Sequence, residues 1–393
     1  MKYDFDKAVN RRNTYSLKWD VKENELPMWV ADMDFETAPE IKEALQKRVE
    51  IGAFGYSVVP VRWYKAIEGW WLRRYGFEIK DEWLQFCTGT LAAVSCAVKR
   101  MTNVGDNVVL LTPVYNIFFN SVENHGRRVL ESRLVYKDGS YSIDFDDLEK
   151  KLSNYITTML ILCNPHNPTG NIWSKEDLAK IGELCQKYNI TVLSDEVHCD
   201  LTEPGSKYIP FASVSEVCKN ISITCISAAK SFNLAGLQSA AICIPNKALR
   251  NKMIRGLNSD EVAEPNFFAV EGVIAAYEKG EPWLEELRKY IAENKKTAAD
   301  FIKAELPEIT VVKCKATYLM WLDCRKITNN TTELCRFIRN ETGLILSEGE
   351  AYRGNGKGFL RLNTACPKSS LTDGLLRFKT GIKNFETVGN TPK

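Results

Sequence analysis

Between about Pro60 and Asn258 the chain exchanges short, nearly continuous apolar runs for stretches in which apolar residues recur every three or four positions. The apolar runs are Asn107 to Leu111, Thr158 to Cys163, Ile190 to Ser194, Ile221 to Ile226 and Ser239 to Ile244. None alternates strictly with polar residues, which predicts strands covered on both faces. Between the second and third runs, Ser174 can cap a helix with Asp177 in its first turn. Leu178, Ile181, Leu184 and Cys185 then fall on one helical face. Such a helix returns the chain for a parallel strand. The pattern predicts an α/β fold built on a large, mostly parallel sheet.

The pattern changes toward the C-terminus. Pro282 can open a long helix with Leu284, Leu287, Tyr290 and Ile291 on one face. Beyond it come a strand candidate at Tyr318 to Leu322 and a helix around Leu334 to Ile338. A glycine-rich turn, Gly354 to Gly358, leads into Phe359-Leu360-Arg361-Leu362. Two units are expected: a large α/β domain over 45–285, and a smaller α+β domain from 1–44 and 286–393.

Composition narrows the partners. With 393 residues, 52 Lys plus Arg and 50 Asp plus Glu, the net charge is +2, which gives no field for gathering nucleic acid. Small molecules are the expected ligands. Twelve cysteines are too dilute for a disulfide scaffold, and those at 87, 96, 163, 185, 225 and 243 read as buried small hydrophobes. No CxxC pair exists and His125, His166 and His198 lie far apart, so no metal site is expected. The Met1 to Asp6 segment is too polar for a signal peptide, and no apolar run reaches the roughly 18 residues of a membrane span. A cytoplasmic protein is the expectation.

The candidate chemistry centres on Ser227-Ala228-Ala229-Lys230-Ser231-Phe232-Asn233, where one lysine sits among small and polar residues and can hold an aldehyde cofactor covalently. Asp195 follows a strand candidate directly, where open α/β sheets gather ligand-binding groups. By itself it reads better as a helix cap; Lys230, 35 residues later in a matching strand context, turns the balance to a cofactor role. Gly89-Thr90 precedes a helical run, and its backbone N–H groups can meet a phosphate. Asn167 lies in the Pro-bounded turn Asn164-Pro165-His166-Asn167-Pro168-Thr169-Gly170, and Arg361 carries a guanidinium fork that matches a carboxylate.

Together with Pro27-Met28-Trp29-Val30-Ala31-Asp32-Met33-Asp34-Phe35, Gly55-Tyr56, Thr112-Pro113-Val114-Tyr115, Asp195-Glu196-Val197-His198 and Arg361-Leu362-Asn363-Thr364-Ala365-Cys366-Pro367, these words stand in a specific order. The chain thereby resembles fold-type I pyridoxal-phosphate (PLP) enzymes of the aspartate aminotransferase superfamily. Within it, the chain is similar to the MalY/PatB branch of cystathionine beta-lyases. The resemblance implies an aminotransferase-like fold with a seven-stranded sheet, PLP as cofactor and a small amino acid as substrate. It makes Lys230, Tyr115 and Arg361 catalytic, Lys230 as anchor and base and Arg361 as carboxylate clamp. Gly89, Thr90, Tyr115, Asn167, Asp195, His198, Ser227 and Lys230 would bind the cofactor. Tyr56 would reach the phosphate of the opposite subunit in a homodimer.

Two positions depart from related patterns. Gln238 stands eight residues beyond the lysine, where many relatives carry arginine, and Lys368 follows Cys366-Pro367 where the branch often has arginine. The resemblance implies a carbon-sulfur beta-lyase acting on L-cystathionine or related cysteine conjugates. An amino acid aminotransferase is the runner-up, and a regulator that holds PLP only as a ligand is the alternative from another class.

Overall fold

The apolar runs become strands of one sheet because both of their faces are covered. In chain order its strands are β1 (Leu84–Cys87), β2 (Asn107–Thr112), β3 (Arg128–Arg133), β4 (Thr157–Cys163), β5 (Thr191–Asp195), β6 (Ser222–Ile226) and β7 (Ala240–Cys243). In this computed structural model, which describes residues 3–389, they lie in the order β1-β7-β6-β5-β4-β2-β3. Neighbours run parallel except at β7, which is antiparallel to both β1 and β6. Val108 and Leu110 of β2 enter one apolar cluster, with Val94 and Ala97. Val109 and Leu111 enter the other, with Leu178 and Ile181. This two-sided burial explains why the runs lack polar alternation.

The five apolar runs leave out β1, at one edge of the sheet, and β3, at the other. β3 is an edge strand of sequence Arg-Val-Leu-Glu-Ser-Arg with exposed ends, so little burial is needed and little apolar signal remains. Helix α1 (Thr90–Met101) follows β1, and α2 (Lys175–Lys187) joins β4 to β5. At its start the Asp177 N–H donates to Ser174 Oγ over 3.0 Å, and the Ser174 N–H donates back to Asp177 Oδ2 over 3.3 Å. That reciprocal cap is the one expected from the Ser174 and Asp177 spacing.

A second sheet comprises β8 (Thr310–Val311), β9 (Leu319–Asp323), β10 (Ser347–Glu348) and β11 (Phe359–Asn363), in the order β8-β9-β11-β10 and antiparallel throughout. Helix α3 (Glu281–Glu305) spans the two cores. Leu284, Leu287 and Tyr290 pack in the cluster that holds Trp63 and Trp70, whereas Ala298 and Ile302 pack with Met320 and Leu360. The N-terminal segment is divided the same way. Phe5 and Phe35 meet Tyr290 with ring centroids 5.4 and 5.5 Å apart, and Leu26–Pro27 pairs in parallel with Leu344–Ile345 beside the second sheet. Residues 1–2 and 390–393 of the smaller unit expected from the sequence lie outside the described residues.

The two sheets meet at the turn after β4. The Gly170 carbonyl accepts from the N–H groups of Lys315 and Ala316 at 2.9 and 3.1 Å, which ties the Asn167 turn to the strand leading into β9. Gly170 has φ +70°, and a Cβ there would fall 2.3 Å from Cys314 Cβ and 2.9 Å from the Ala316 carbonyl. Gly170→Ala is therefore expected to cost about 2–4 kcal/mol of stability through backbone strain and collision. Urea unfolding of the purified variant measures it, and an unchanged midpoint would contradict the tight approach.

Candidate active site

Strand register gathers the site before any side chain is considered. Cys163 pairs with Asp195, and Asp195 with Cys225, so the carboxyl ends of β4, β5 and β6 share one edge. The antiparallel β7 begins there, with Ala240 opposite Cys87 of β1. Along this edge the loops place Gly89-Thr90, Tyr115, Asn167, Asp195 with His198, and Ser227 with Lys230. Across it runs the irregular segment Met28 to Phe35. Asn363 Nδ2 donates to the Val30 and Asp32 carbonyls at 2.6 and 2.7 Å, while Asn233 donates to the Met33 and Phe35 carbonyls at 2.9 and 3.0 Å.

Lys230 Nζ donates to the Ala31 carbonyl over 2.7 Å, and Tyr318 Oη donates to the same oxygen over 2.9 Å. Burial and then the Arg361 charge lower the Lys230 pKa, with Asp32 and Asp195 opposing. A lysine whose pKa is lowered releases its proton more readily than a free one. Asp195 is buried, and among the described residues its carboxylate accepts one hydrogen bond, from the Val197 N–H, over 3.3 Å. Burial lifts its pKa to about 6, although Lys230 acts in the opposite direction. No helix follows Asp195, so the capping alternative fails and the carboxylate is left for a cationic partner. His198 is buried with Nδ1 unpartnered, and burial followed by the charges of Lys230 and Arg361 drops its pKa to about 3. It is neutral.

Arg361 is buried on β11. Nη1 donates to Asn167 Oδ1 over 3.2 Å, Nη2 to the Trp29 carbonyl over 2.7 Å, and the guanidinium lies 5.2 Å from the Tyr352 ring centroid. These contacts fix the plane of the fork and leave Nε buried without a partner. A carboxylate fits the remaining N–H groups. Tyr115 is half-buried and sets its ring edge-on to Phe118, while burial raises its pKa to about 12.

At the other end, α1 begins at Gly89 with no side-chain cap, and a Cβ on Gly89 would meet nothing within 4 Å. Uncapped N–H groups with open space in front suit a phosphate, and Thr90 adds a hydroxyl. Ser227 is more committed than its sequence suggested: Oγ donates to the Ser239 carbonyl over 2.7 Å and accepts from the Ala229 N–H over 3.1 Å. Gln238 is exposed in a left-handed conformation, φ 51°, and Lys368 pairs with Glu293 over 3.2 Å away from Lys230. Tyr56 is the one predicted site residue that the fold of a single chain does not bring in; it is fully exposed. The sequence reading singled out neither Tyr318, which it placed only in a strand candidate, nor Tyr352, because nothing in a sequence locates a hydroxyl or a ring face.

The buried carboxylate, the lowered lysine, the orphaned histidine and arginine nitrogens and the uncapped helix start fit PLP with an amino acid substrate. The raised Asp195 pKa has a testable sign. A carboxyl whose folded pKa of about 6 exceeds the unfolded value of about 3.9 contributes its full stability below about pH 4 and loses it as pH rises through 6. Cofactor-free Asp195→Asn should then be about 1–3 kcal/mol more stable than cofactor-free wild type at pH 8, and should retain PLP more weakly. Denaturant unfolding across pH decides the point; wild type and variant with parallel pH curves would refute it.

Known proteins carry the same arrangement of sequence. Residues 25–378 match the family described as aminotransferase class I and II. The cystathionine beta-lyase PatB of Bacillus subtilis is 44% identical over 386 residues, covering 96% of this chain and 100% of that protein. Among solved structures, PLP-containing cystalysin from Treponema denticola superposes with a TM-score of 0.94 at 32% identity, covering 98% of this chain and 100% of that one. The PLP-bound C-S lyase from Staphylococcus hominis does so with a TM-score of 0.91 at 32% identity, covering 97% and 98%. A match across most of the chain, on a sheet and loop arrangement of the same kind, means that the chain belongs to the aminotransferase class I and II family.

Proposed function

We propose that the protein is a PLP-dependent carbon-sulfur beta-lyase that cleaves L-cystathionine, or a related cysteine conjugate, to a thiol, pyruvate and ammonia. The observation that carries this reading is the convergence of Lys230, Asp195 and Arg361, each within the electrostatic reach of another, at one sheet edge. The names of PatB, a cystathionine beta-lyase, and of the Staphylococcus hominis C-S lyase point to the same chemistry.

Bound PLP supplies an electron sink conjugated to the substrate nitrogen. Asp195 would hold the ring nitrogen, Asn167 would offer its Nδ2 to the ring oxygen, and Tyr115 and His198 would complete the ring's site. The helix start at Gly89 and Thr90, together with Ser227, would take the phosphate. Arg361 holds the α-carboxylate, which orients Cα toward Lys230. Nζ takes the Cα proton, the electron pair forms the Cα–Cβ double bond, and the Cβ–S pair leaves on sulfur. The proton then resides on Nζ, where the Ala31 carbonyl can accept it as a hydrogen bond. Thiolate is a good leaving group, so cystathionine and cystine should react and serine should react poorly.

The working unit is a homodimer. Phe54, Tyr56, Val58 and Val61 form an exposed apolar stretch, and pairing two copies through it would cover that surface and carry Tyr56 to the opposite phosphate. A cytoplasmic setting suits the twelve free cysteines. The smaller unit, 1–44 with 286–393, contributes Arg361 and the Ala31 carbonyl.

Incubated with L-cystathionine and no keto acid, the PLP-loaded protein should release pyruvate and free thiol in equal, repeated amounts, and Lys230→Ala should release neither. Turnover that depends on added keto acid and frees no thiol would identify an aminotransferase instead. Tyr56→Ala should speed PLP loss on gel filtration while leaving thermal unfolding of the chain's core nearly unchanged. A fully active monomer in sedimentation would exclude the shared site.

A further inference from the structure

Behind Lys230 lies a carboxylate that the proposed reaction does not use. Asp200 is buried, only 2% exposed, and it follows His198 by two residues. Its carboxylate accepts from Trp70 Nε1 over 3.1 Å, from Tyr75 Oη, and from Ser231 Oγ over 3.3 Å, and it pairs with Arg74 Nε over 3.2 Å. Ser231 is fully buried and is the residue next to Lys230. Asp200 therefore joins the two loops that must agree in position: the one after β5, with Asp195 and His198, and the one after β6, with Lys230. No backbone hydrogen bond among the described residues makes that link between 196–200 and 230–231.

We propose that Asp200 is a positioning residue that sets the Lys230 turn against the Asp195 loop through Ser231. Three hydrogen-bond donors and one ion-pair partner, from one helix and one loop, converge on this one carboxylate, so its place is determined by the helix Val61–Tyr75, which carries Trp70, Arg74 and Tyr75. Ser231 is then the only one of the four that transmits that place to the lysine. The Arg74 charge lies against Asp200, and Glu281 and Glu285 pair with Arg74 in turn, at 3.0 and 2.8 Å. Burial raises the Asp200 pKa, and the adjacent Arg74 cation acts against that rise. The inference rests on Lys230 carrying PLP and not on which bond the enzyme breaks.

The test compares two substitutions that each remove one donor from Asp200. Ser231→Ala removes the link to Lys230 at little cost in volume. Trp70→Phe removes a different donor and more buried surface, so a merely structural role for the network would make Trp70→Phe the more harmful of the two. The readout is the pH midpoint at which the visible absorbance of the PLP-loaded protein titrates, which needs no turnover. Ser231→Ala should shift that midpoint by about half a unit or more, and lower kcat with KM little changed. Trp70→Phe should lower the melting temperature and leave the midpoint within experimental error. An unmoved midpoint in Ser231→Ala, or equal shifts in both variants, overturns the proposal. A shift without any lyase activity would leave it standing while the lyase reading falls. Should Trp70→Phe not fold, Tyr75→Phe removes another donor and serves the same comparison.

Discussion

The segment from Met28 to Phe35 has to cross the mouth of the sheet edge as irregular chain, without being a strand of either large sheet, and the site depends on how that is achieved. Backbone groups in such a segment must find partners or lose stability. Here side chains supply most of them: Asn363 and Asn233 take four carbonyls, Arg361 takes that of Trp29, and Tyr318 and Lys230 share that of Ala31. The donors come from both sheets' loops and strands. The same hydrogen bonds that hold the segment therefore also join the two sheets and aim Lys230 and Arg361.

A second constraint is electrostatic. Asp34 is enclosed by Lys18, Arg11 and the Trp19 indole, and Asp32 pairs with Arg11 over 2.7 Å, so the N-terminal residues carry their own neutralising cations. Asp195 has no such partner and keeps a raised pKa, while Glu196 beside it is satisfied by Ser194, Tyr208 and the Phe211 N–H yet still rises to about 7 through burial. Two adjacent carboxyls thus differ in role by their partners. One is closed within the protein, and the other is open to a ligand that can bring a positive charge.

Much of the fold is legible because burial on both faces writes itself into a sequence as apolar runs. β2, β4, β5, β6 and β7 are read within a residue or so, and the Ser174 cap is explicit. β3 escapes because an edge strand needs no apolar face toward solvent. The short strands Thr310–Val311 and Ser347–Glu348 escape because two residues carry no period.

The sequence by itself determined the chemical groups and the edge on which they would gather: a lysine after one strand, an aspartate after another, an asparagine in a proline-bounded turn and an arginine on a late strand. Position along the chain sets which end of a parallel strand a residue occupies, and that is local information. Only the tertiary structure decided what each group touches. It committed the Ser227 hydroxyl to a carbonyl, left Arg361 Nε and His198 Nδ1 without partners, put Tyr318 and Tyr352 beside the reacting groups and turned Tyr56 outward. Hydrogen bonds and burial join residues hundreds of positions apart, and no period or short motif records which two will meet.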